Sequence, residues 1–504
     1  MRSARLTGWG WAGLGLAGSS ALTLAGPDLI GGKPISWWFN LHLPAGRTAL
    51  FYAGMAALCV AWLGVGRRRR KPSELVLIGA IWCIPLLAGP PLFSHDVYSY
   101  LAQGEVLHLG LNPYHHGPEI LARFGQNRLL AGVSPIWRTT TSPYGPLFLA
   151  LASLTVGVVG SNLIAGVLVM RLIELAGLVL LAVFTPRLAR SLGTDPGRAI
   201  WMAVISPLVL LELIAAGHND ALMVGLLVAG VTLAIERRPL LGIALCSIAA
   251  MVKLPAFVAV VFIAVAWARD EWAPPTRPPT RPPARGAGQA RGGTAARALA
   301  LSVAVAVAVL AAVSVATGLG LSWVSGGVLS TPGKVHLAIT PVTAAGWSLA
   351  SLLHDLGLSA SYRGIESGLG AVTLGLTAVL ALALLRQVRY GTMALALGVL
   401  LLVSVFAGPA TWPWYLTWGL ALVACCPVTE RARAVPVLLV LSVFLVKPNG
   451  ILALPLQRAP FVLAAYLIAV ALIWRSRRGR GGALLGRVRS LTGGEPTALT
   501  NASR

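Results

Sequence analysis

The chain has 504 residues, of which 56% are hydrophobic and only 11% charged, against about 25% charged in an ordinary soluble domain. With a mean hydropathy of +0.77, this excludes a soluble globular protein, a disordered chain and a disulfide scaffold, and leaves a polytopic membrane protein. Lys and Arg number 40 against 16 Asp and Glu, a formal charge of +24, which suits nucleic-acid binding only if the cations cover a soluble surface.

A membrane-crossing helix needs roughly 20 apolar residues. Residues 8–26 form the first such run. Arg2 and Arg5 precede it, but it is too long for a signal-peptide core, so it reads as a retained helix. Runs 48–66 and 74–93 follow, with Arg67-Arg68-Arg69-Arg70-Lys71 between them. Residues 94–162 read as a long outer loop. Within it, 145–160 is apolar but short and follows Ser142-Pro143-Tyr144-Gly145-Pro146, so it reads as an interfacial or re-entrant helix. The next runs are 163–185, 199–216 and 219–235. Residues 240–267 are one apolar run broken at Lys253-Leu254-Pro255. Proline removes a donor and disfavours helix in the residue before it, so two short helices are expected to meet at a polar elbow. Residues 273–297 are rich in Pro, Arg and Gly and read as a disordered linker. The runs 298–318, 366–385, 393–408, 412–426, 434–446 and 459–474 complete the chain. The five cysteines all lie in apolar runs and read as small core residues.

This gives an all-α polytopic protein with about 13–14 crossings. Five parts are expected: a two-helix extension (1–72), an N-terminal membrane module (73–268), a Pro/Arg linker (269–297), a C-terminal membrane module (298–474) and a basic tail (475–504). With both ends placed in the cytoplasm, inner segments receive 29 of the 40 cations and outer ones ten, while Arg171 stays inside a helix. That asymmetry follows the positive-inside rule. The charge therefore sets orientation and meets anionic lipid, and no nucleic-acid partner is expected.

On this layout all eight histidines fall on the outer face, four of them in the loop 94–144 with Tyr98, Tyr100, Tyr114, Tyr144 and Trp137. A belt of interfacial aromatics is one reading; a polar ligand cavity is the other, because so long a loop is usually functional. Asp96 follows the third span closely. A carboxylate at a helix end on the water boundary can act as a base, or simply cap the helix. Glu105 lies nine residues on, about 180° around a helix, and is the weaker candidate. His218-Asn219-Asp220 sits at a turn between two spans, where a polar triplet is costly unless solvated or paired. Lys253 is a cation in the elbow, either functional or snorkelling. Arg171 and Glu174, at i and i+3, read as an intrahelical pair without chemistry. Trp412-Pro413-Trp414-Tyr415 opens a late span as belt or stacking surface. Neither a Walker loop, a dinucleotide fingerprint nor a His-Glu-x-x-His motif is present.

Taken in order, Asp96-Val97-Tyr98-Ser99-Tyr100 with Gln103-Gly104, Asn112-Pro113-Tyr114, Ser142-Pro143-Tyr144-Gly145-Pro146-Leu147, Gly217-His218-Asn219-Asp220, Val252-Lys253-Leu254-Pro255 and Pro413-Trp414-Tyr415 resemble the actinobacterial polyprenol-phosphate-mannose-dependent α-1,6-mannosyltransferases of the glycosyltransferase C superfamily. The resemblance runs from about residue 75 to 450. It implies a glycosyltransferase C-type fold and an inverting transfer from a polyprenyl phosphomannose donor on the outer leaflet of the plasma membrane. The acceptor it implies is a phosphatidylinositol mannoside or mannan lipid, with the α-1,6-mannan core of lipomannan and lipoarabinomannan as product. It places the base at Asp96. Many superfamily members carry acid-x-acid there, whereas this chain has Ser94-His95-Asp96, so the resemblance carries no cofactor and leaves a metal requirement open. Substrate contacts are expected from Tyr98, Glu105, Tyr144, His218, Asn219, Asp220, Trp414 and Tyr415. The donor phosphate is expected at Lys253, with Arg138 and Lys447 behind it. The competing reading is a transporter or flippase. Such proteins often carry matching broken helices in two halves, and the elbow at Lys253 has no evident counterpart.

Overall fold

The computed structural model describes residues 8–26, 46–272, 287–326, 340–359, 361–408, 411–430, 434–453, 458–468 and 471. Those residues are helical almost throughout, and their one β feature is an isolated bridge between Val446 and Leu452. The first three helices are α1 (Gly8–Ala25), α2 (Arg47–Val65) and α3 (Pro72–Ala88). A Cβ on Gly18 would stand 2.7 Å from the Gly54 carbonyl oxygen, and one on Gly54 2.8 Å from that of Gly18. Small residues thus let α1 and α2 approach backbone to backbone, as membrane helices do where burial from water supplies no drive.

The loop after α3 is built rather than extended. It holds α4 (Asp96–His108), a 3-10 turn at Pro118–Phe124, the short helices α5 (Asn127–Ala131) and α6 (Pro135–Arg138), and α7 (Pro146–Val159). Proline opens α6 and α7, where its missing N–H has no partner to lose. At 14 residues, α7 is too short to cross a bilayer upright, in keeping with an interfacial or re-entrant helix. It lies along α4 so closely that a Cβ on Gly104 would stand 2.5 Å from the Ala152 carbonyl carbon.

The long α8 (Leu163–Ser191) returns through the core, followed by α9 (Pro196–Ala203). The expected continuous span 199–216 is broken. Helix α9 stops before Pro207, and the chain resumes as wide π-turns over Val209–Ala215. This segment and α10 (Asp220–Ile235) are bent from one another by 117°. The elbow forms as expected: α11 (Pro239–Val252) ends at extended Lys253, a 3-10 turn covers Leu254–Ala256, and α12 (Phe257–Trp272) leaves it. Of the segment read as a linker, 273–286 lies outside the described residues, and helices run into it from both sides. The C-terminal half holds α13 (Ala287–Ala316), α14 (Ser322–Ser325), α15 (Pro341–Asp355), α16 (Tyr362–Gln387), α17 (Tyr390–Ala407), α18 (Leu416–Val423) and α19 (Ala434–Ser442). The tail 475–504 also lies outside the described residues.

Among the described residues five helices are long and apolar enough to cross a membrane, or six with the bent pair counted as one span. Other apolar runs form shorter helices of 10–17 residues, several opened by proline. The protein is a multi-pass membrane protein with one main core, to which α1–α5, α7–α13 and α17–α19 contribute buried residues.

Candidate functional site

The site forms where four chain breaks meet: the start of α4, the bend before α10, the elbow after α11 and the turn before α18. Asp96 is the first residue of α4, and its backbone N–H donates to Ser94 Oγ at 3.0 Å. Its side chain is 16% exposed, and Oδ2 lies 3.8 Å from His218 Nε2, whose ring is completely buried. Gly217, at φ +74, makes the sharp turn that delivers His218, in a region L side chains avoid. Nδ1 of His218 is 2.5 Å from the Glu212 carbonyl oxygen. A carbonyl only accepts, so Nδ1 carries the hydrogen and Nε2 is left to face the carboxylate. No hydrogen-bond partner reaches Nε2.

The His218 ring stacks on Trp414 at 3.9 Å and 24°, and Trp414 stacks on Trp412 at 4.9 Å. Beside them Lys253 Nζ donates to both oxygens of Asp220, at 3.0 and 2.8 Å, and Trp418 Nε1 donates to Oδ1 at 2.5 Å. The ammonium also lies over the rings of Tyr415 (4.6 Å) and Trp418 (5.4 Å). Asp220 is fully buried and Lys253 is 12% exposed. A charge this deep persists only when paired, and two of the three ammonium hydrogens are already engaged. Asp96, Asp220 and Lys253 all lie within electrostatic reach of His218.

The motif Ser142-Pro143-Tyr144-Gly145 closes the wall. The Gly145 N–H donates to the Val252 carbonyl at 3.0 Å, beside the elbow. A Cβ on Gly145 would run into the Met251 backbone, so the approach requires glycine. Tyr114 Oη donates to the Tyr144 carbonyl at 2.8 Å, and the Ser142 N–H to that of Pro113 at 2.9 Å. Asn112-Pro113-Tyr114 therefore locks the next motif in place. Tyr144 packs edge-on against Tyr100 (4.9 Å) and Phe148 (5.7 Å). Burial, and after it the charge of Asp96, pushes the Tyr144 phenol far above its ordinary range, so it stays a neutral donor.

The structure brings together Asp96, Tyr144, His218, Asp220, Lys253, Trp414 and Tyr415. Asn219 is buried beside them with both amide atoms unpartnered. Tyr98 is buried and turns toward the loop, where a Cβ on Gly132 would meet its ring. Glu105 is buried nine positions along the continuous α4, on the opposite azimuth to Asp96. Arg138 Nε donates to the Val133 carbonyl at 3.1 Å and braces the loop. Lys447 has an exposed side chain, but its loop touches the site's edge, since the Phe93 N–H donates to the Pro448 carbonyl at 2.9 Å.

The pairing of Arg171 with Glu174 does not form. Arg171 is fully buried and donates instead to the carbonyls of Leu87 (2.9 Å), Gly89, Pro90 (2.9 Å) and Ala215 (2.6 Å). It ties the end of α3 to the π segment because both helix ends leave carbonyls unsatisfied. Trp418 escaped the sequence reading although it stands at i+4 from Trp414 on the same turn. Ser99 and Gln103 also escaped as site residues. They follow Asp96 at i+3 and i+7 on one face of α4, and Ser99 Oγ and Gln103 Oε1 are buried without partners. Among the described residues no three His, Cys, Asp or Glu side chains gather as a metal-holding group.

Comparison with known proteins places this arrangement. Residues 7–269 match the family described as alpha-(1->6)-mannopyranosyltransferase, N-terminal domain, and residues 339–475 match the MptB C-terminal domain. The chain is 35% identical over 88% of its length to alpha-(1->6)-mannopyranosyltransferase A of Mycobacterium tuberculosis, covering 85% of that protein. It is 31% identical over 79% of its length to a probable alpha-(1->6)-mannopyranosyltransferase of Mycolicibacterium smegmatis, covering 74% of it. No solved structure matches the chain. The two matched regions hold all four breaks that meet at Asp96, and the chain belongs to the alpha-(1->6)-mannopyranosyltransferase family of glycosyltransferases.

Proposed function

We propose that the protein moves mannose from a polyprenyl phosphomannose donor to the 6-hydroxyl of a mannosyl lipid, building the α-1,6-mannan core of lipomannan and lipoarabinomannan. The observation that carries this reading is the position of Asp96. It is a partly exposed carboxylate beside two fully buried partners of the triplet, His218 and Asp220. It is thus the acid of the cluster that a substrate hydroxyl can reach.

Asp96 takes the proton of the acceptor hydroxyl as that oxygen bonds to the anomeric carbon. The bond from that carbon to the phosphate oxygen breaks with its electron pair, and attack from the opposite face turns β into α. His218 Nε2 faces Asp96 Oδ2 and shares the proton the carboxylate has gained. Asp220 aims the Lys253 ammonium, whose remaining hydrogen serves the leaving phosphate. Asn219, Ser99 and Gln103 offer buried unpartnered polar atoms for sugar hydroxyls, and Tyr415 and the stacked Trp412–Trp414 pair offer a face for the sugar or the prenyl chain. Polyprenyl phosphate leaves as a stable anion, so the reading needs no metal. The site faces outward across the plasma membrane, with both chain ends in the cytoplasm, as the arginine distribution supports.

The test is purified protein given radiolabelled polyprenyl phosphomannose and a synthetic mannosyl acceptor, with the product linkage read by NMR. Labelled α-1,6 product is expected. Movement of intact donor across vesicles without transfer would support a flippase instead.

A further inference from the structure

At the end of the bundle opposite Asp96 lies a cleft of about 230 Å3 where α2 ends, α3 begins and α9 begins. Helix α3 separates the two sites, because Asp96 follows its C-terminal end and the cleft adjoins its N-terminal end. Its 17 residues span about 25 Å. The cleft is lined by Arg67, Arg68, Arg69, Arg70 and Arg198 against one acid, Asp195. In the sequence these arginines read only as part of a general excess that sets orientation and meets anionic lipid. That role needs charge near a helix end but no shaped cavity.

The cleft has a rigid floor. Trp62 and Trp201 stack at 4.4 Å and 13°, and each indole N–H donates to the other's carbonyl, at 2.8 and 2.9 Å. The arginines differ in how far they are engaged. Arg70 is held by Glu74 and by the Val65 carbonyl. Asp195 accepts from the Gly197 and Arg198 N–H groups at 2.8 and 3.1 Å, and lies 3.5 Å from Arg69 Nε. Arg198 donates through one terminal nitrogen to the Thr429 carbonyl at 3.0 Å, yet its Nε is buried with no acceptor. A buried guanidinium N–H left unmet is costly. Arg68 is exposed. The lining therefore offers surplus positive charge and room for several water-sized groups.

We propose that this cleft binds a phosphate-bearing anion, and that its source is the headgroup of an anionic phospholipid. Chemistry favours phosphate because guanidinium forks match its oxygens. Location favours lipid because the cleft opens directly after Val65, the last residue of the membrane-length α2, at headgroup level for a helix of that length.

The test uses the full-length protein in detergent, read by native mass spectrometry and thermal shift. Phosphatidylinositol, phosphatidylcholine or inorganic phosphate is added to wild type, to Arg68→Gln with Arg198→Gln, and to Arg190→Gln with Arg238→Gln. The last pair removes two exposed arginines outside the cleft and matches the loss of charge. Wild type and the matched control are expected to retain phosphatidylinositol and to be stabilised by it, but not by phosphatidylcholine. The cleft variant is expected to retain about 10-fold less. Equal stabilisation by inorganic phosphate would overturn the lipid source. Equal retention by the cleft variant, or none by wild type, would overturn the site. Unchanged mannosyl transfer by the cleft variant shows that it has folded.

Discussion

Asp220 and Lys253 show how one buried contact supports several others. Asp220 accepts from Lys253 through both oxygens and from Trp418, so Asp220→Asn strands a buried ammonium. Breaking a buried pair by removing one partner typically costs about 3–5 kcal/mol. Thermal unfolding in detergent is expected to fall by several degrees for Asp220→Asn. It should recover in Asp220→Asn with Lys253→Met, while transfer stays lost in both. Tyr144 behaves differently. Its phenol is held protonated by burial and by Asp96. A raised phenol does not ionise as pH climbs through its ordinary value near 10, so it contributes no alkaline limb below about pH 10. Tyr144→Phe is expected to lower the transfer rate while leaving the shape of the pH–rate profile up to that pH unchanged. At this scale the sequence singled out Asp96 as the candidate, because the acids expected on the outer face are few. It did not show Arg171 as a carbonyl clamp, because that role depends on two helix ends 44 and more residues away in the chain.

At the scale of elements, the site depends on where helices stop. Pro255 marks the elbow in the sequence, and the structure breaks there. Pro207 lies inside 199–216, which reads as one continuous apolar span, and the π-turns of Val209–Ala215 were not legible from periodicity. Helix α10, which carries Asp220, is seated by glycine contact with α8. A Cβ on Gly177 would enter the Ala221–Leu222 backbone, and one on Gly225 the backbone of Gly177. Gly177→Ala must push α10 away, an overpacking that costs about 1–3 kcal/mol. It is expected to lower both the unfolding temperature and transfer, although residue 177 touches no substrate; the mirrored loss in Gly225→Ala checks that the contact is responsible.

For the whole molecule, composition pointed to a polytopic membrane protein, the apolar runs to helices, and the ordered motifs to the family. None of these could show that motifs 318 residues apart meet, as Asp96 and Trp414 do through His218. Orientation rests on arginine placement and is directly checkable. All five native cysteines are buried, so a cysteine placed at His116 should label from outside intact cells with an impermeant maleimide, and one placed at Arg68 should not. The central claim is that Asp96 is the base. Asparagine keeps its size and the Ser94 contact to its backbone, so folding is preserved while proton acceptance is lost. Mannose transfer by purified Asp96→Asn protein is predicted to fall by about 10²–10⁴-fold at unchanged unfolding temperature. Transfer at the wild-type rate would contradict it.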